Sequence, residues 1–278
     1  MRELYDQYAF KASKYVTKSY STSFYAGVRF LDEKIRNDIH AIYGFVRLAD
    51  EIVDSFHDQD KQALLDEFRS DTYKALENGI SLNPILHSFQ MSVNKYGIDR
   101  ELIDQFLHSM EMDLNPLEYT QATYEEYILG SAEVVGLMCL KIFVYGNKEE
   151  YEKLKPYAMK LGSAFQKINF LRDLKDDVEG LGRIYFPNVD LNGITLEEKV
   201  AIEDDIQKEF DEAYIGIKLL PKSSRFGVYV SYVYYTKLLK KIKRKDTKEL
   251  MNARIRVSNK AKVALFAKSY VRNSMNLL

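Results

Sequence analysis

Residues 39–54 read IHAIYGFVRLADEIVD. Ile39, Ile42, Tyr43 and Val46 recur at the three- and four-residue steps of one helical face, apolar enough to be buried. Arg47, Asp50, Glu51 and Asp54 follow at spacings of 3, 4 and 7, which puts them on one face further along the same helix. Carboxylates one turn apart, roughly 6 Å, repel each other. A hard divalent cation with oxygen ligands relieves that repulsion, and a guanidinium fork grips phosphate oxygens. Alone, the stretch also reads as a solvated, Asp-rich helix end.

Working outward, the same period recurs at Leu161, Phe165, Ile168 and Leu171, and no alternating run bounded by tight turns suggests a sheet. Nine or ten helices are predicted, near 5–19, 32–55, 60–78, 84–95, 99–112, 123–145, 148–179, 195–219, 223–245 and 247–274. Pro84, Pro156 and Pro221 are placed at helix starts, where the missing N–H is tolerated. Thirteen glycines and five prolines in 278 residues leave no flexible linker or repeat. The expectation is one all-α domain spanning residues 1–278. The chain is 46% hydrophobic with a formal charge of −1, which gives no bulk electrostatic case for nucleic acid. No stretch approaches the roughly 18 apolar residues of a membrane span, and the N-terminus lacks a secretory layout. The one cysteine, Cys139, cannot pair within the chain, so a reducing, cytoplasmic home is expected.

A second polar face lies at Gln166, Asn169, Asp173 and Asp177, spaced 3, 4 and 4, with Arg172 beside it. Buried Asn and Gln need partners, which a metal or ligand oxygen supplies. Two opposed acidic faces holding Mg²⁺ would bind a diphosphate ester between them. Metal and arginine would neutralise the leaving diphosphate, so a carbon–oxygen bond ionises without a protein nucleophile. The organic part must then yield a stabilised cation, which suits an allylic isoprenoid. Aromatic faces stabilise such a cation, and twenty-one Tyr and fifteen Phe permit them without locating them. Residues 237–272 hold thirteen Lys and Arg against Asp246 and Glu249 alone. That basic tail reads as a binder of diphosphate, of an anionic membrane, or of the chain's own acidic body.

The ordered set of motifs resembles the squalene/phytoene synthase family over nearly the whole chain. It comprises the serine-rich segment at 19–24, the first acidic helix at 41–54, and the signature from Tyr127 through Gly130, Glu133, Gly136 and Met138. The second acidic helix at 166–177 and the run Gly182-Arg183-Ile184-Tyr185-Phe186-Pro187 complete it. The resemblance implies a helical bundle around an apolar cavity, with Asp50, Asp54, Asn169, Asp173 and Asp177 as Mg²⁺ ligands; Mn²⁺ suits the same oxygens. It implies substrate contacts from Tyr20, Ser21, Thr22, Ser23, Tyr43, Arg47, Gln166, Arg172 and Tyr235. The resemblance also makes Tyr127 a candidate for the hydroxyl-rich zone where the intermediate reacts. The departures are Glu51 for a second Asp, Tyr20 for a frequent His, Glu133 for a glycine and Leu129 for a Tyr.

The implied reaction is head-to-head condensation of two prenyl diphosphates through a cyclopropylcarbinyl diphosphate. Phytoene from two C20 geranylgeranyl diphosphates is favoured by the character of the signature and loop. C15 dehydrosqualene or squalene synthesis and a non-catalytic relative are the alternatives. No dinucleotide-binding motif appears, so no NADPH is expected. A di-iron bundle would show Glu-x-x-His pairs, which His40, His57, His87 and His108 do not supply. A terpene cyclase or chain-elongating enzyme would share the acidic helices without the pairing of second acidic helix and following loop. A C40 product cannot leave into water, since each buried CH₂ is worth roughly 0.8 kcal/mol. Peripheral contact with the inner membrane face is therefore expected through Phe226–Leu239 and Lys237–Lys248, with core packing the competing reading of the apolar part.

Overall fold

A computed structural model describes residues 1–114, 119–181, 184–187, 189 and 193–274. The described elements are helical: α1 Arg2–Tyr20, α2 Thr22–Val28, α3 Glu33–Asp54, α4 Lys61–Asn78, α5 Pro84–Tyr96, α6 Arg100–Leu114 and α7 Gln121–Ile128. They continue as α8 Val134–Phe143, α9 Lys148–Asp176, α10 Leu196–Leu219, α11 Lys222–Ile242, α12 Thr247–Asn252 and α13 Asn259–Ser274. π-helical turns occupy Leu129–Glu133 and Asp177–Leu181. No strand occurs among the described residues. No helix among them is long and apolar enough to cross a membrane.

Helix α3 lies at the centre of one core. Asp32 caps it by accepting from the Lys34 N–H at 2.9 Å, and it packs on α1, α4, α5, α6 and α8. Its fully buried Phe45 stacks on Phe89 with centroids 3.8 Å apart and touches Phe68 and Phe106. The apolar stripe thus faces inward while the acidic end emerges from the bundle. A second core gathers the C-terminal half of α9 with α10 and α11, around Ile168, Leu171, Phe210, Leu238 and Leu239. Small residues let the two cores meet. A Cβ on Gly162 of α9 would lie 2.7 Å from the Ala132 carbonyl oxygen, so that π turn and α9 touch backbone to backbone.

Several predicted boundaries change. The expected helix over 123–145 contains the first π turn, and the expected helix over 247–274 is two helices joined by non-helical residues 253–258. Helix α2 was not predicted; Ser21 ends α1 in an extended conformation and its hydroxyl accepts from the Phe24 N–H at 3.3 Å. Pro156 lies inside α9, not at its start. Both it and Glu152, whose carbonyl loses its helical partner, are exposed. The Phe226–Leu239 segment buries Gly227, Tyr229, Val230, Leu238 and Leu239, so much of its apolar surface is taken up by the core.

Candidate active site

Two cavities join between the cores. The outer one, about 860 Å³, is a polar mouth. The inner one, about 280 Å³, is walled by apolar residues including Val28, Leu31, Ile39, Val135, Cys139 and Leu161. Phe24, Gly27, Phe165, Gln166, Asn169, Ser231 and Tyr235 line both, so the charged mouth opens directly into the apolar space.

All fifteen residues that the resemblance assigns to metal, substrate or the reacting intermediate line the mouth. Helix α3 contributes Tyr43, Arg47, Asp50 and Asp54; the end of α1 and start of α2 contribute Tyr20, Ser21, Thr22 and Ser23. Helix α9 and the π turn after it contribute Gln166, Asn169, Arg172, Asp173 and Asp177, while Tyr127 comes from α7 and Tyr235 from α11. Arg47 pairs with Asp50 and Glu51 and lays its guanidinium 4.4 Å over the Tyr20 ring. Its Nε is buried with no hydrogen-bond partner, a donor suited to an oxyanion in the mouth. Glu51 itself does not line the cavity; its carboxylate holds the arginine. On α9, the Tyr235 hydroxyl donates to Asn169 Oδ1 at 3.2 Å, and the Tyr235 ring stacks on Phe165 at 4.0 Å. Arg172 Nε donates to Asp173 at 2.9 Å.

Of the residues that sequence reading missed, Arg254, Arg256 and Lys262 come from the C-terminal segment. Residues 253–258 cross α9, with the Ile255 N–H donating to the Arg172 carbonyl at 3.4 Å. This brings Arg254 onto Asp173 at 2.7 Å and Asp176 at 3.7 Å. Arg256 and Lys262 also line the mouth, and the Lys262 ammonium meets the Ser23 hydroxyl at 2.8 Å. Burial, then the Arg172 and Arg256 guanidiniums, push the Lys262 ammonium below its ordinary range. Such crowding of cations favours a bound anion. The basic tail was a signal for these residues, but irregular backbone carries no period to single them out. Asp113, at the end of α6, is a further unpredicted carboxylate in the mouth. Gly182 and Arg183 of the predicted loop lie outside the described residues.

No group of three or more His, Cys, Asp or Glu among the described residues converges into a protein-only metal site. The acidic faces offer carboxylates in pairs, oxygen donors of the kind that hard divalent cations take.

The sequence profile of the squalene/phytoene synthase family matches residues 17–261. Presqualene diphosphate synthase of Rhodopseudomonas palustris is 32% identical over 189 residues, covering 66% of this chain and 65% of that protein. Chloroplastic phytoene synthase 1 of Solanum lycopersicum is 28% identical over 281 residues, covering 92% of this chain and 67% of that protein. The chain thus matches about two thirds of the length of each of these relatives. The crystal structure of a dehydrosqualene synthase in complex with a ligand superposes with a TM-score of 0.81 at 21% identity, covering 97% of this chain and 98% of that one. That likeness is one of fold.

Proposed function

The chain belongs to the squalene/phytoene synthase family, and from that premise we propose that it is a prenyltransferase that joins two geranylgeranyl diphosphates head to head. The product is phytoene, formed through a cyclopropylcarbinyl diphosphate with release of two diphosphates, a step of carotenoid formation. The observation that carries this reading is the continuity of a charged mouth with an apolar cavity through Gln166, Asn169 and Tyr235. A molecule with a diphosphate head and a long hydrocarbon tail matches both chemistries at once.

In this reading Ser21, Thr22, Ser23, Tyr43, Arg47, Gln166, Arg172 and Tyr235 hold the diphosphates, and Tyr20 buttresses Arg47 with its ring. Arg254, Arg256 and Lys262 add positive charge to the mouth beside them. Asp50, Asp54, Asn169, Asp173 and Asp177 are the oxygen donors that would hold Mg²⁺, or Mn²⁺. When bound, the ion supplies neutralisation of the departing diphosphate charge. The carbon–oxygen bond breaks at the head of the substrate, so the cation forms where mouth and apolar cavity meet, beside the Phe165 and Tyr235 rings that line both. Tyr127 contributes its ring and hydroxyl to the mouth. No reductant is needed for phytoene, so none is assigned.

A second reading, with C15 farnesyl diphosphate as substrate, is favoured by the relative named for presqualene diphosphate. Purified protein with Mg²⁺ and detergent is offered each diphosphate separately, with and without NADPH. Phytoene from the C20 substrate alone supports the proposal. Product from C15 moves the assignment, with NADPH dependence separating squalene from dehydrosqualene. Neither product, with diphosphate still bound, makes the chain a non-catalytic relative.

We further infer peripheral contact with an anionic membrane, at which an insoluble product would leave. Residues 250–278 carry six Lys and Arg and no acid, and α13 exposes Val263 beside Lys260 and Lys268.

A further inference from the structure

We propose that Asp113, working through the Tyr127 hydroxyl, accepts the proton lost in the final step of the condensation. The inference rests on the condensation reading above and adds to it the base that the reaction requires.

Asp113 enters the mouth from the last turn of α6, a direction separate from both acidic helices. The Tyr127 hydroxyl donates to its Oδ2 at 2.8 Å, and the Tyr185 hydroxyl approaches Oδ1 at 3.5 Å. Both tyrosines are buried. Their rings stack at 5.0 Å, and Phe170 stacks on Tyr185 at 4.2 Å. The carboxylate thus sits at the hydroxyl ends of two buried, mutually stacked tyrosines in the mouth, an anion placed to take a proton from a cation formed beside it.

The last intermediate is an allylic cation. A C–H bond beside it breaks, its electron pair becomes the new carbon–carbon double bond, and the proton must go to a base held away from water. The Tyr127 phenol is a poor base on its own, and burial together with the Asp113 charge keeps it firmly protonated. Hydrogen-bonded to Asp113, it takes the substrate proton on its oxygen while passing its own to the carboxylate. Asp113 ends neutral, the tyrosine is unchanged and the hydrocarbon is uncharged, so the step balances without a co-reactant. General-base assistance of this kind contributes about 10²–10⁴-fold.

The test compares wild type, Asp113→Asn and Tyr127→Phe with Mg²⁺ and each prenyl diphosphate. It measures the ratio of cyclopropylcarbinyl diphosphate plus water-quenched alcohols to finished hydrocarbon. The expected result is a ratio raised about 10²-fold or more in Asp113→Asn. Tyr127→Phe, which keeps the carboxylate but breaks the relay, should shift it in the same direction. A wild-type ratio in a folded Asp113→Asn protein, whatever its absolute rate, overturns the assignment. If that variant does not fold by circular dichroism, an unchanged ratio in Tyr127→Phe overturns it instead. Wild-type protein that forms neither condensed product refutes the condensation reading itself, and the proton acceptor with it.

Discussion

Arg47 carries its charge between two acids, yet its Nε has no partner and is buried. A guanidinium can serve carboxylates with its terminal nitrogens and still offer its inner N–H to phosphate, which an ammonium cannot. Arg47→Lys should therefore lower kcat/KM by about 10–100-fold, the loss of one or two charge-assisted hydrogen bonds at roughly 1.5–3 kcal/mol. Circular dichroism should stay near wild type. Glu133 poses a different residue-scale question. Burial, then the Glu209 carboxylate, pushes its carboxyl up to about 7 from 4.5. The folded chain thus holds a proton that the unfolded chain has released, and stability should fall as pH rises from about 4.5 to about 7, then stay lower. Glu133→Gln should flatten that slope and stabilise the protein above pH 7. The side chain remains partly exposed, so the gain is about 1–3 kcal/mol. Urea midpoints at pH 5 and pH 8 measure it.

At the scale of elements, α13 is the helix whose outer face invites a test. Lys260→Glu with Lys268→Glu should abolish flotation with anionic vesicles at low salt, since each basic residue near such a surface is worth about 1 kcal/mol. Wild type should float, and the thermal midpoint should be common to both because these side chains are exposed. The longer helices were legible because buried apolar residues recur along them at helical steps, as at Ile35, Ile39 and Ile42 of α3 and Ala164, Ile168 and Leu171 of α9. What escaped was set by contacts distant in sequence. The break at 253–258 follows from a crossing over Arg172 that no Gly or Pro announces. Helix α2 is only seven residues long and begins at a serine turn that periodicity cannot register. The acidic faces were readable because their spacing is their geometry. Asp113 was not, since its partners lie 14 and 72 residues away.

Across the whole molecule, the mouth lies between two cores, with α3 anchored in one and the end of α9 in the other. A ligand that bridges their acidic faces should clamp the cores together. Mg²⁺ and inorganic diphosphate should therefore raise the thermal midpoint more when added together than the sum of their separate effects. Saturation at about 100 Kd corresponds to roughly 2.7 kcal/mol. Asp50→Asn or Asp173→Asn should remove that synergy in the same melting experiment, and its persistence in both would contradict the metal assignment. The Lys262–Ser23 contact spans 239 positions of the chain, and closing so long a loop is slow because its entropy is lost before the contact rewards it. On the ribosome, the serine segment is made before α13 and must wait for it to emerge before the basic wall beside it exists. Until then a nascent chain has no complete pocket with which to capture a reactive diphosphate.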